Sequence, residues 1–474
     1  MATTATERKL LIGGEWVETG EWIEVNSPYS GEVVGRIAKG GAAETRAALD
    51  AAERALAEPI PAHERAAILD RVAGALAQRG DEIARTICAE AGKPMKAARV
   101  EAARAVSTYT FAAVEARKLA GEMVPMDASA AGAGKLAFTI RRPIGIVGAI
   151  SPFNFPLNLV AHKLAPALAA GCPVVLKPAK QTPLSALLLA ELETEAGLPP
   201  GWLNVVVGSA SEIGDVLVGD DRVKLITFTG SGPVGWGIQE RAPKKRVKLE
   251  LGNSTPVLVA ADADLQRTAE KLAANAFSFA GQSCISVQRI YVERSVRDAF
   301  LERFLPRVEA LKVGDPADDD TDVGPVIDAD ARDRILAWIA ETGGEILAGG
   351  DANEDGLLRP TVIGDASPTD RVVCDEVFGP VVVVNAVDSI EEAVRLANAT
   401  RFGLQAGVFT SSLSTAFSAA AGLEFGGVTV NEAPTYRADQ MPYGGVKDSG
   451  NTKEGPAWAV REMTEERLVA IDLA

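Results

Sequence analysis

The sequence has few of the residues that bind transition metals or form disulfides. Only two of its 474 residues are histidines, His63 and His162, and neither has a cysteine or a second histidine at a metal-ligand spacing. The four cysteines lie far apart without a CxxC pair, which indicates free thiols in a reducing compartment. The acidic run Asp318–Asp322 lacks the later glycine and glutamate of an EF-hand loop. We therefore expect no metal.

Positive charge is also scarce, with 48 Lys and Arg against 64 Asp and Glu and a net charge of −16. A molecule this negative is repelled by nucleic-acid phosphates and anionic lipids, so neither nucleic acid nor membrane is an expected partner. The uncharged run 144–161 is interrupted by Gly, Pro and Asn, which predicts a buried strand and a helix instead of a membrane span. The opening MATTATERK has no apolar signal core, and we expect a cytoplasmic protein.

What the chain does contain is a regular alternation of apolar and helical segments. From about Ala42 to Ala120 it is rich in Ala, Glu and Arg at helical periodicity, which predicts amphipathic helices. After Arg142, and again from Asn253 onward, short apolar runs alternate with helical stretches. This pattern predicts an α/β fold with two α/β domains, each built on a parallel sheet.

A small β arm is predicted between the helical region and the first buried strand. The segment Asp127–Gly134 is rich in Ala, Gly and Ser, and it separates Met-Val-Pro from the strand-like LAFTIRR. It is therefore predicted to be the tip of a long hairpin or a mobile loop. A projecting hairpin commonly needs a partner subunit.

A GxGxxG sequence, from Gly230 to Gly235, directly follows a predicted strand and opens a helix. Glycines permit close backbone approach, and the helix N-terminus offers unpaired N–H groups to a pyrophosphate. The alternative is an ordinary glycine-rich βα turn. Glu250 lies about 20 residues further on, where it is suited either to hold a ribose or to act as a general base.

Cys284 lies in the sequence FAGQSCIS, a turn ahead of a predicted strand. A lone cysteine is more often a packing residue, but a loop position between polar neighbours favours reactivity. The other three cysteines, Cys88, Cys172 and Cys374, are predicted to be packing residues.

Six segments together resemble the aldehyde dehydrogenase superfamily, in the family's order and across nearly the whole chain. They are SPFNFPLNLVAHKLAPALAAGCPVVLKPA from Ser151, FTGS from Phe228, LELG from Leu249, GQSC from Gly281, EVFGPV from Glu376 and MPYGGVKDSG from Met441. The resemblance implies a Rossmann-like NAD(P)-binding domain (1–121 and 143–251), a catalytic domain (252–457) and an oligomerisation arm (122–142 and 458–474). It also implies a homodimer or homotetramer.

The same resemblance implies oxidation of a small aldehyde to its carboxylic acid. Cys284 would attack the carbonyl to form a thiohemiacetal, which becomes a thioester after hydride transfer. Glu250 would activate the hydrolytic water, so the resemblance favours the general-base role of Glu250 over ribose binding. Asn154 would donate a hydrogen bond to the oxyanion. A helix cap at the start of LNLVAHK is the alternative, and one residue can serve both roles, but the family match favours catalysis.

Nine residues are implied in binding NAD or NADP. Lys177 resembles the residue that bonds the adenosine ribose, and Glu376 with Phe378 resembles the pair that positions the nicotinamide half. The full set is Ser151, Phe153, Lys177, Lys180, Gly208, Gly230, Ser231, Glu376 and Phe378.

Two positions depart from the family pattern. NAD-preferring members often carry Glu where this chain has Lys180, so we expect NADP to be accepted, and a preference for it over NAD stays open. A solvated surface lysine is the alternative. Asn253 and Ser254 stand where Gly and Asn are usual after the base, which leaves the orientation of Glu250 open.

The substrate is less constrained. The chain is most similar to the branch with lactaldehyde, succinic semialdehyde and non-phosphorylating glyceraldehyde-3-phosphate dehydrogenases. Ser283 stands where members that use phosphorylated aldehydes often have Arg, which weakens a phosphate-bearing substrate. Arg437 is suited to hold a carboxylate, but a structural pair with Asp439 is favoured. His162 either lines the substrate tunnel or is a satisfied buried histidine.

Rival functions are a coenzyme-A-acylating dehydrogenase, a cofactor-independent thiol esterase that uses the same Cys284, and a non-catalytic protein on this fold. The product distinguishes the first, since it is an acyl-CoA instead of a free acid. Ester cleavage without nicotinamide-dependent oxidation would favour the second. The third is disfavoured because Cys284 and Glu250 are both present.

Overall fold

A computed structural model of the chain describes residues 6–473. Residues 1–5, with which the MATTATERK opening begins, and Ala474 lie outside the described residues, and the predicted divisions 1–121 and 458–474 extend into them.

Helices and strands are numbered here in chain order. The strands are β1 Thr6–Arg8, β2 Leu10–Ile12, β3 Glu15–Val17, β4 Trp22–Asn26, β5 Val33–Ala38, β6 Met123–Val124, β7 Lys135–Pro143, β8 Ile146–Ile150, β9 Val174–Lys177, β10 Leu203–Val205, β11 Val223–Thr229, β12 Arg246–Glu250, β13 Thr255–Val259, β14 Val287–Glu293, β15 Glu345–Ala348, β16 Thr361–Gly364, β17 Val381–Val387, β18 Gln405–Phe409, β19 Gly427–Val430 and β20 Thr464–Asp472. The helices are α1 Ala42–Ala57, α2 Ala62–Gln78, α3 Gly80–Ala91, α4 Met95–Lys118, α5 Asn158–Ala170, α6 Leu184–Glu195, α7 Ala210–Gly219, α8 Gly232–Arg241, α9 Leu265–Ala276, α10 Arg297–Glu309, α11 Ala329–Glu341, α12 Arg371–Cys374, α13 Ile390–Asn398, α14 Leu413–Gly422 and α15 Pro456–Glu462.

The first large sheet has the strand order β12-β11-β8-β9-β10-β2-β3. Strands β8 to β12 are parallel, whereas β2 and β3 add an antiparallel edge. Every residue of β8, IVGAI, is buried, as expected for a strand that is covered on both faces. Helix α5 is buried along its whole length and packs against α2 and α4.

The second large sheet has the order β15-β16-β17-β14-β13-β18-β19. It is parallel except for β15, which pairs antiparallel with β16. Strands β13 and β18 are entirely buried, and valine-rich β17 is mostly buried. Branched side chains suit such strands because they pack well on a pleated surface.

Two smaller sheets complete the fold. Strands β1, β5 and β4 form one, and β20, β7 and β6 form the other. β20 pairs antiparallel with β7 from Thr464 opposite Pro143 to Asp472 opposite Lys135. The predicted hairpin is present, since β6 pairs antiparallel with β7, and two short 3-10 turns occupy its tip.

The prediction of two α/β domains with parallel-sheet cores is confirmed, and each sheet also carries antiparallel strands at one end. β2, β3 and β15 lie antiparallel there, because an edge strand needs no crossover helix. The strands of residues 6–38 were not predicted. Within residues 6–473, no helix combines the length and the apolar character that a bilayer crossing requires.

The candidate site residues lie on loops that follow or precede buried strands. Asn154 follows β8, Glu250 is the last residue of β12, and Cys284 comes three residues before β14. In the parallel part of the first sheet, β8 and β12 both flank β11, so their carboxyl ends meet at one edge. Ligands bind at this edge in open α/β sheets.

Candidate active site

The loop that carries Cys284 follows a strained turn. Two non-glycine residues of the 3-10 turn Ser278–Gly281 have φ values of 51° and 52°, in the left-handed region that side chains disfavour. Gly281 has a φ of 69°, and a Cβ there would lie 2.0 Å from the carbonyl oxygen of Gly379. Only glycine fits this position, so the approach to Cys284 is determined by backbone packing.

Cys284 lines a cavity of about 270 Å³. Ser283 and Arg437, two of the three predicted substrate residues, also line it. Arg104 and Phe155 contribute a cation and an aromatic ring to the same wall. The cavity can therefore accept a small molecule with a polar or anionic end next to the thiol.

The Cys284 thiol has one close polar neighbour. Its Sγ atom lies 2.9 Å from the hydroxyl oxygen of Tyr443. Burial raises the pKa of the thiol to about 12, and the carboxyl groups of Glu376 and Glu250 contribute to this increase. The free thiol is therefore protonated at neutral pH and needs a proton acceptor before it can attack a carbonyl.

The Asn154 side chain connects the loop after β8 to the Cys284 loop. Its Nδ2 donates a 3.0 Å hydrogen bond to the carbonyl oxygen of Gln282, while its buried Oδ1 has no hydrogen-bond partner among residues 6–473. Asn154 does not cap α5. The carboxylate of Glu101 does so instead, because it accepts the backbone N–H groups of Leu157 and Asn158 at 2.9 and 3.1 Å.

Glu250 is buried, and neither of its carboxylate oxygens has a hydrogen-bond partner within the described residues. Burial raises the pKa of Glu250 well above its usual range, and the nearby Glu454 carboxylate raises it further. Arg437 and Lys163 act in the opposite direction. A buried carboxyl group with a raised pKa takes up a proton readily, as a general base requires.

Arg437 pairs with Glu454, so its predicted pairing with Asp439 is wrong. The Nη2 of Arg437 donates to the Glu454 carboxylate at 2.9 Å. Asp439 instead accepts a 2.8 Å hydrogen bond from Arg104, and its Oδ1 lies 2.9 Å from the Nε2 of His162. Asp439 finds partners on α4 and α5 because the loop folds onto those helices, a contact that sequence proximity does not reveal.

His162 is fully buried and is not among the residues that line the Cys284 cavity. Its Nε2 lies near Asp439 and the hydroxyl of Thr108, and its Nδ1 has no partner within the described residues. Burial, followed by the charge of Arg437, lowers the pKa of His162. The geometry thus places His162 in a packed polar network under the cavity floor.

A second cleft, of about 440 Å³, lies at the start of α8 and is lined by Ser231, Gly252 and Glu376. Ser231 is the N-cap residue of α8, but its side chain makes no capping hydrogen bond. Glu376 accepts the backbone N–H of Asn253 at 3.0 Å, and burial raises its pKa to about 7. A Cβ at Gly252 would lie 2.3 Å from this carboxylate.

The predicted adenosine end is partly buried. The Nζ of Lys177 donates to the carbonyl oxygen of Pro178 at 3.2 Å, and burial together with nearby Lys180 lowers the pKa of Lys177 to about 8. Lys180 itself is exposed. Gly208 faces Gly40 closely, since a Cβ at Gly208 would lie 1.9 Å from the Gly40 carbonyl oxygen.

Of the remaining predicted cofactor residues, Ser151, Phe153 and Gly230 follow strands of the first sheet, and Phe378 precedes β17 of the second. The rings of Phe153 and Phe378 meet edge to face, with their centroids 5.8 Å apart. The Oγ of Ser151 is buried and has no hydrogen-bond partner in the described part of the chain. The backbone N–H of Gly230 donates to the carbonyl oxygen of Glu250 at 3.1 Å, which joins the GxGxxG turn to the predicted base.

The two residues that depart from the family pattern connect the Glu250 loop to its surroundings. The Nδ2 of Asn253 donates to the Thr255 hydroxyl at 2.8 Å and to the Gln405 carbonyl oxygen at 3.1 Å. The hydroxyl of Ser254 donates to the Val373 carbonyl oxygen at 2.9 Å. Both side chains therefore hold the loop after β12 against the second sheet.

Sequence reasoning missed four residues that surround the site: Tyr443, Glu454, Lys163 and Arg104. The sequence does point to Lys163, because it is a charged side chain within the mostly apolar helix α5. Tyr443 lies in MPYGG, a segment that was quoted without a role for the tyrosine.

Cys374, predicted to be a packing residue, is exposed at the end of α12. Within residues 6–473 no cluster of His, Cys, Asp and Glu could hold a metal ion.

The chain matches the aldehyde dehydrogenase family over residues 16–469 and belongs to that family. It is accordingly an NAD(P)-dependent oxidoreductase that acts on aldehydes.

Individual relatives and a solved structure are similar along nearly the whole chain. A 3-sulfolactaldehyde dehydrogenase of Priestia aryabhattai is 42% identical, covering 99% of each chain. The NADP(+) succinate-semialdehyde dehydrogenase of Escherichia coli is 38% identical, covering 98% of each. The crystal structure of aldehyde dehydrogenase 21 from Physcomitrella patens, in complex with the reaction product succinate, is 40% identical and superposes with a TM-score of 0.96, covering 99% of each chain.

Proposed function

We propose that this enzyme oxidises a small aldehyde to the free carboxylic acid through a thiohemiacetal and a thioester on Cys284, with NAD or NADP as hydride acceptor. The observation that carries the proposal is the position of Cys284 on the cavity wall, with the Glu250 carboxyl near enough to raise the pKa of the thiol. The proposed nucleophile thus lies beside space for a substrate, and the charge of the proposed base acts on its thiol.

In the first step the thiol gives its proton to the Glu250 carboxylate and its sulfur bonds to the carbonyl carbon. The carbonyl oxygen then carries negative charge. The Cys284 backbone N–H and the Asn154 amide are the proposed donors to it, each worth about 2.7–4 kcal/mol in such sites. Asn154 can serve because Nδ2 carries two N–H groups and the Gln282 carbonyl accepts only one.

Hydrolysis of the thioester requires a base that is ionised before the water attacks. Glu250 is suited to this step because neither of its carboxylate oxygens is committed to another residue of the described chain. The ionised form is favoured by the positive charges of Arg437 and Lys163 and opposed by burial. Glu250 would then accept the water proton as the acyl–sulfur bond breaks and free acid forms.

The residues of the second cleft fit a dinucleotide. The N-terminus of α8 and the Ser231 side chain, which makes no capping hydrogen bond, suit a pyrophosphate, and the Glu376 carboxylate suits a ribose hydroxyl. Lys177 and the unpartnered hydroxyl of Ser151 are further polar groups for the adenosine half. When bound, the nicotinamide accepts the hydride from the substrate carbon.

Lys180 supports the use of NADP. Its exposed ammonium lies close enough to Lys177 to lower the pKa of that side chain, so both cations would face the ribose that carries the 2′-phosphate. We propose that NADP is accepted at least as well as NAD.

For the substrate, we propose a short aldehyde with a carboxylate, sulfonate or hydroxyl tail. Arg104 and Arg437 both line the cavity, and the Nε–H of Arg437 has no hydrogen-bond partner within the described residues. The similarity to enzymes named for 3-sulfolactaldehyde and succinate semialdehyde supports the same class. Ser283, which also lines the cavity, adds no positive charge.

The test is a set of initial rates for acidic, hydroxylated, aromatic and unsubstituted aldehydes of two to five carbons, each with NAD and with NADP. Mass spectrometry of the product separates a free acid from an acyl-CoA when coenzyme A is supplied. Fastest turnover of acidic or hydroxylated aldehydes to the free acid supports the proposal. Turnover only with coenzyme A, or ester cleavage without any aldehyde oxidation, would overturn it.

We further propose the domain division 1–121 with 143–251, 252–457, and 122–142 with 458–474, and a cytoplasmic homodimer or homotetramer. The four free thiols are consistent with a reducing compartment. Exposed apolar side chains on the β6-β7-β20 sheet, including Leu136, Ile140 and Leu468, support assembly through this arm. Sedimentation equilibrium with and without residues 464–474 measures its contribution.

A further inference from the structure

Tyr443 is the residue in closest polar contact with the sulfur of Cys284. The hydroxyl oxygen lies 2.9 Å from Sγ, and the tyrosine is only 3% exposed. Its ring packs in a small apolar cluster with Ile285 and Leu404, against which Cys284 also lies. Apolar side chains therefore contact part of the ring, and its hydroxyl reaches the sulfur.

Several contacts immobilise the Tyr443 ring. Its backbone pairs antiparallel with Glu454, whose N–H donates to the Tyr443 carbonyl oxygen. The Arg437 guanidinium lies 3.8 Å from the centroid of the Tyr443 ring and also donates to the Glu454 carboxylate at 2.9 Å. Glu454 therefore holds both the tyrosine backbone and the cation that lies over its ring.

The charged groups around Cys284 have opposing effects on its ionisation. Glu250 and Glu376 disfavour a thiolate, as does burial itself, which raises the pKa of the thiol to about 12. Tyr443 and Arg437 favour the thiolate, the first by its hydrogen bond and the second by its positive charge. A helix N-terminus can also stabilise a thiolate, but the element before Cys284 is a 3-10 turn of only four residues.

We propose that the Tyr443 hydroxyl is a catalytic hydrogen-bond donor to the Cys284 thiolate and that Arg437 is a positioning residue that holds the Tyr443 ring. This inference rests on the proposed role of Cys284 as nucleophile. In this scheme Tyr443 donates a hydrogen bond to the sulfur, and Asn154 donates another to the carbonyl oxygen of the substrate.

The step balances without another reactant. The thiol proton passes from Sγ to the Glu250 carboxylate, and the Tyr443 O–H then donates to the negatively charged sulfur. As sulfur bonds to the carbonyl carbon, the π electrons move to the carbonyl oxygen and the hydrogen bond from Tyr443 weakens. Tyr443 retains its proton throughout, because burial and the adjacent thiol raise its pKa well above the usual tyrosine range.

The test measures thiol reactivity without aldehyde or cofactor, so that substrate binding does not contribute. The full chain and its Tyr443→Phe variant are treated with iodoacetamide between pH 6 and 10, and modification of the Cys284 peptide is followed by mass spectrometry. Peptide analysis is needed because Cys374 is exposed and also reacts. Tyr436→Phe is the matched control, since that tyrosine is exposed and only seven positions away.

We expect alkylation of Cys284 at pH 7 to be about tenfold slower in Tyr443→Phe, with the reactivity profile moved to higher pH, because a hydrogen bond to an ionised group is lost. Tyr436→Phe should leave rate and profile unchanged. Arg437→Lys keeps the charge but not the planar contact with the ring, and should give a smaller slowing in the same direction. Unchanged NAD(P) affinity verifies that each variant is folded.

Equal alkylation rates in Tyr443→Phe and the unchanged chain would overturn this inference while leaving the proposed function intact, provided that the unchanged chain oxidises aldehydes. If the unchanged chain neither oxidises aldehydes nor reacts at Cys284, the proposed function and this inference fail together.

Discussion

The Nδ2 of Asn154 donates a 3.0 Å hydrogen bond to the carbonyl oxygen of Gln282, two residues before Cys284. Asn154 follows β8 of the first sheet, and Gln282 precedes β14 of the second. The bond therefore joins the two α/β units at the point where their loops meet. The proposed oxyanion donor and the proposed nucleophile are held in register by it.

Replacement of Cys284 by alanine should lower aldehyde oxidation at least about a thousandfold and leave the dissociation constants of NAD and NADP nearly unchanged, because only the sulfur forms a covalent bond. Initial rates and fluorescence titration measure the two effects. Cys374→Ala is the control, as this exposed thiol lies outside the cavity. Substantial turnover in Cys284→Ala would exclude the covalent mechanism.

Glu250→Gln should slow the first hydride transfer, since the amide cannot take the thiol proton, and should slow acid release still more, since it cannot take a proton from water. A burst of about one reduced nicotinamide per active site should precede a steady-state rate that is lower by about 10² or more. Glu240→Gln, at an exposed position on α8, should behave as the parent. If the steady state of Glu250→Gln equals that of the parent, another group activates the water.

The raised pKa of Glu250 also predicts the pH dependence of acid release. Deacylation requires the carboxylate, so its rate should fall as pH decreases through a pKa above the ordinary glutamate value. Stopped-flow measurement of thioester hydrolysis at a series of pH values gives this profile. A midpoint at or below the ordinary value would contradict the buried environment of Glu250.

Lys180→Glu should shift the cofactor preference toward NAD by placing a carboxylate where the 2′-phosphate is expected. We predict that the ratio of kcat/KM for NADP to that for NAD falls about tenfold or more, since like charges repel and a carboxylate can accept from the ribose hydroxyls of NAD. Lys244→Glu makes the same charge change at an exposed site beyond the far end of α8. If the two variants have equal ratios, Lys180 does not contribute to the choice between NAD and NADP.

Glu101→Gln should destabilise the fold. Glu101 is buried, forms an ion pair with buried Lys93 and accepts the first N–H groups of α5. Loss of its charge leaves Lys93 without a counter-charge, which typically costs about 3–5 kcal/mol. Urea unfolding measures the difference from Asp70→Asn, which removes the charge from an exposed pair with Arg117 of the same helix and should cost below about 1 kcal/mol. Equal costs would mean that the buried pair adds nothing.

Much of the architecture was predictable because it depends on local patterns. The alternation of apolar runs with helical periodicity predicts βαβ crossovers, and these occur from β8 to β12 as expected. Strands β1 to β3 were not predicted, since strands of three residues carry little periodic signal. The exposure of Cys374 was not predicted for a similar reason, because the neighbouring valines do not determine whether a cysteine in a short helix faces the core or the solvent.

By itself, the sequence determined the order of the elements, the family and the identity of the proposed nucleophile, because motif spacing and hydrophobic period are properties of the chain. Only the tertiary structure decided which charges meet. Arg437 pairs with Glu454 at 2.9 Å instead of with nearby Asp439, and Tyr443 reaches Cys284 across 159 positions. Such partners are set by the packing of distant loops, where burial strengthens every charge and hydrogen bond but leaves no periodic trace in the sequence.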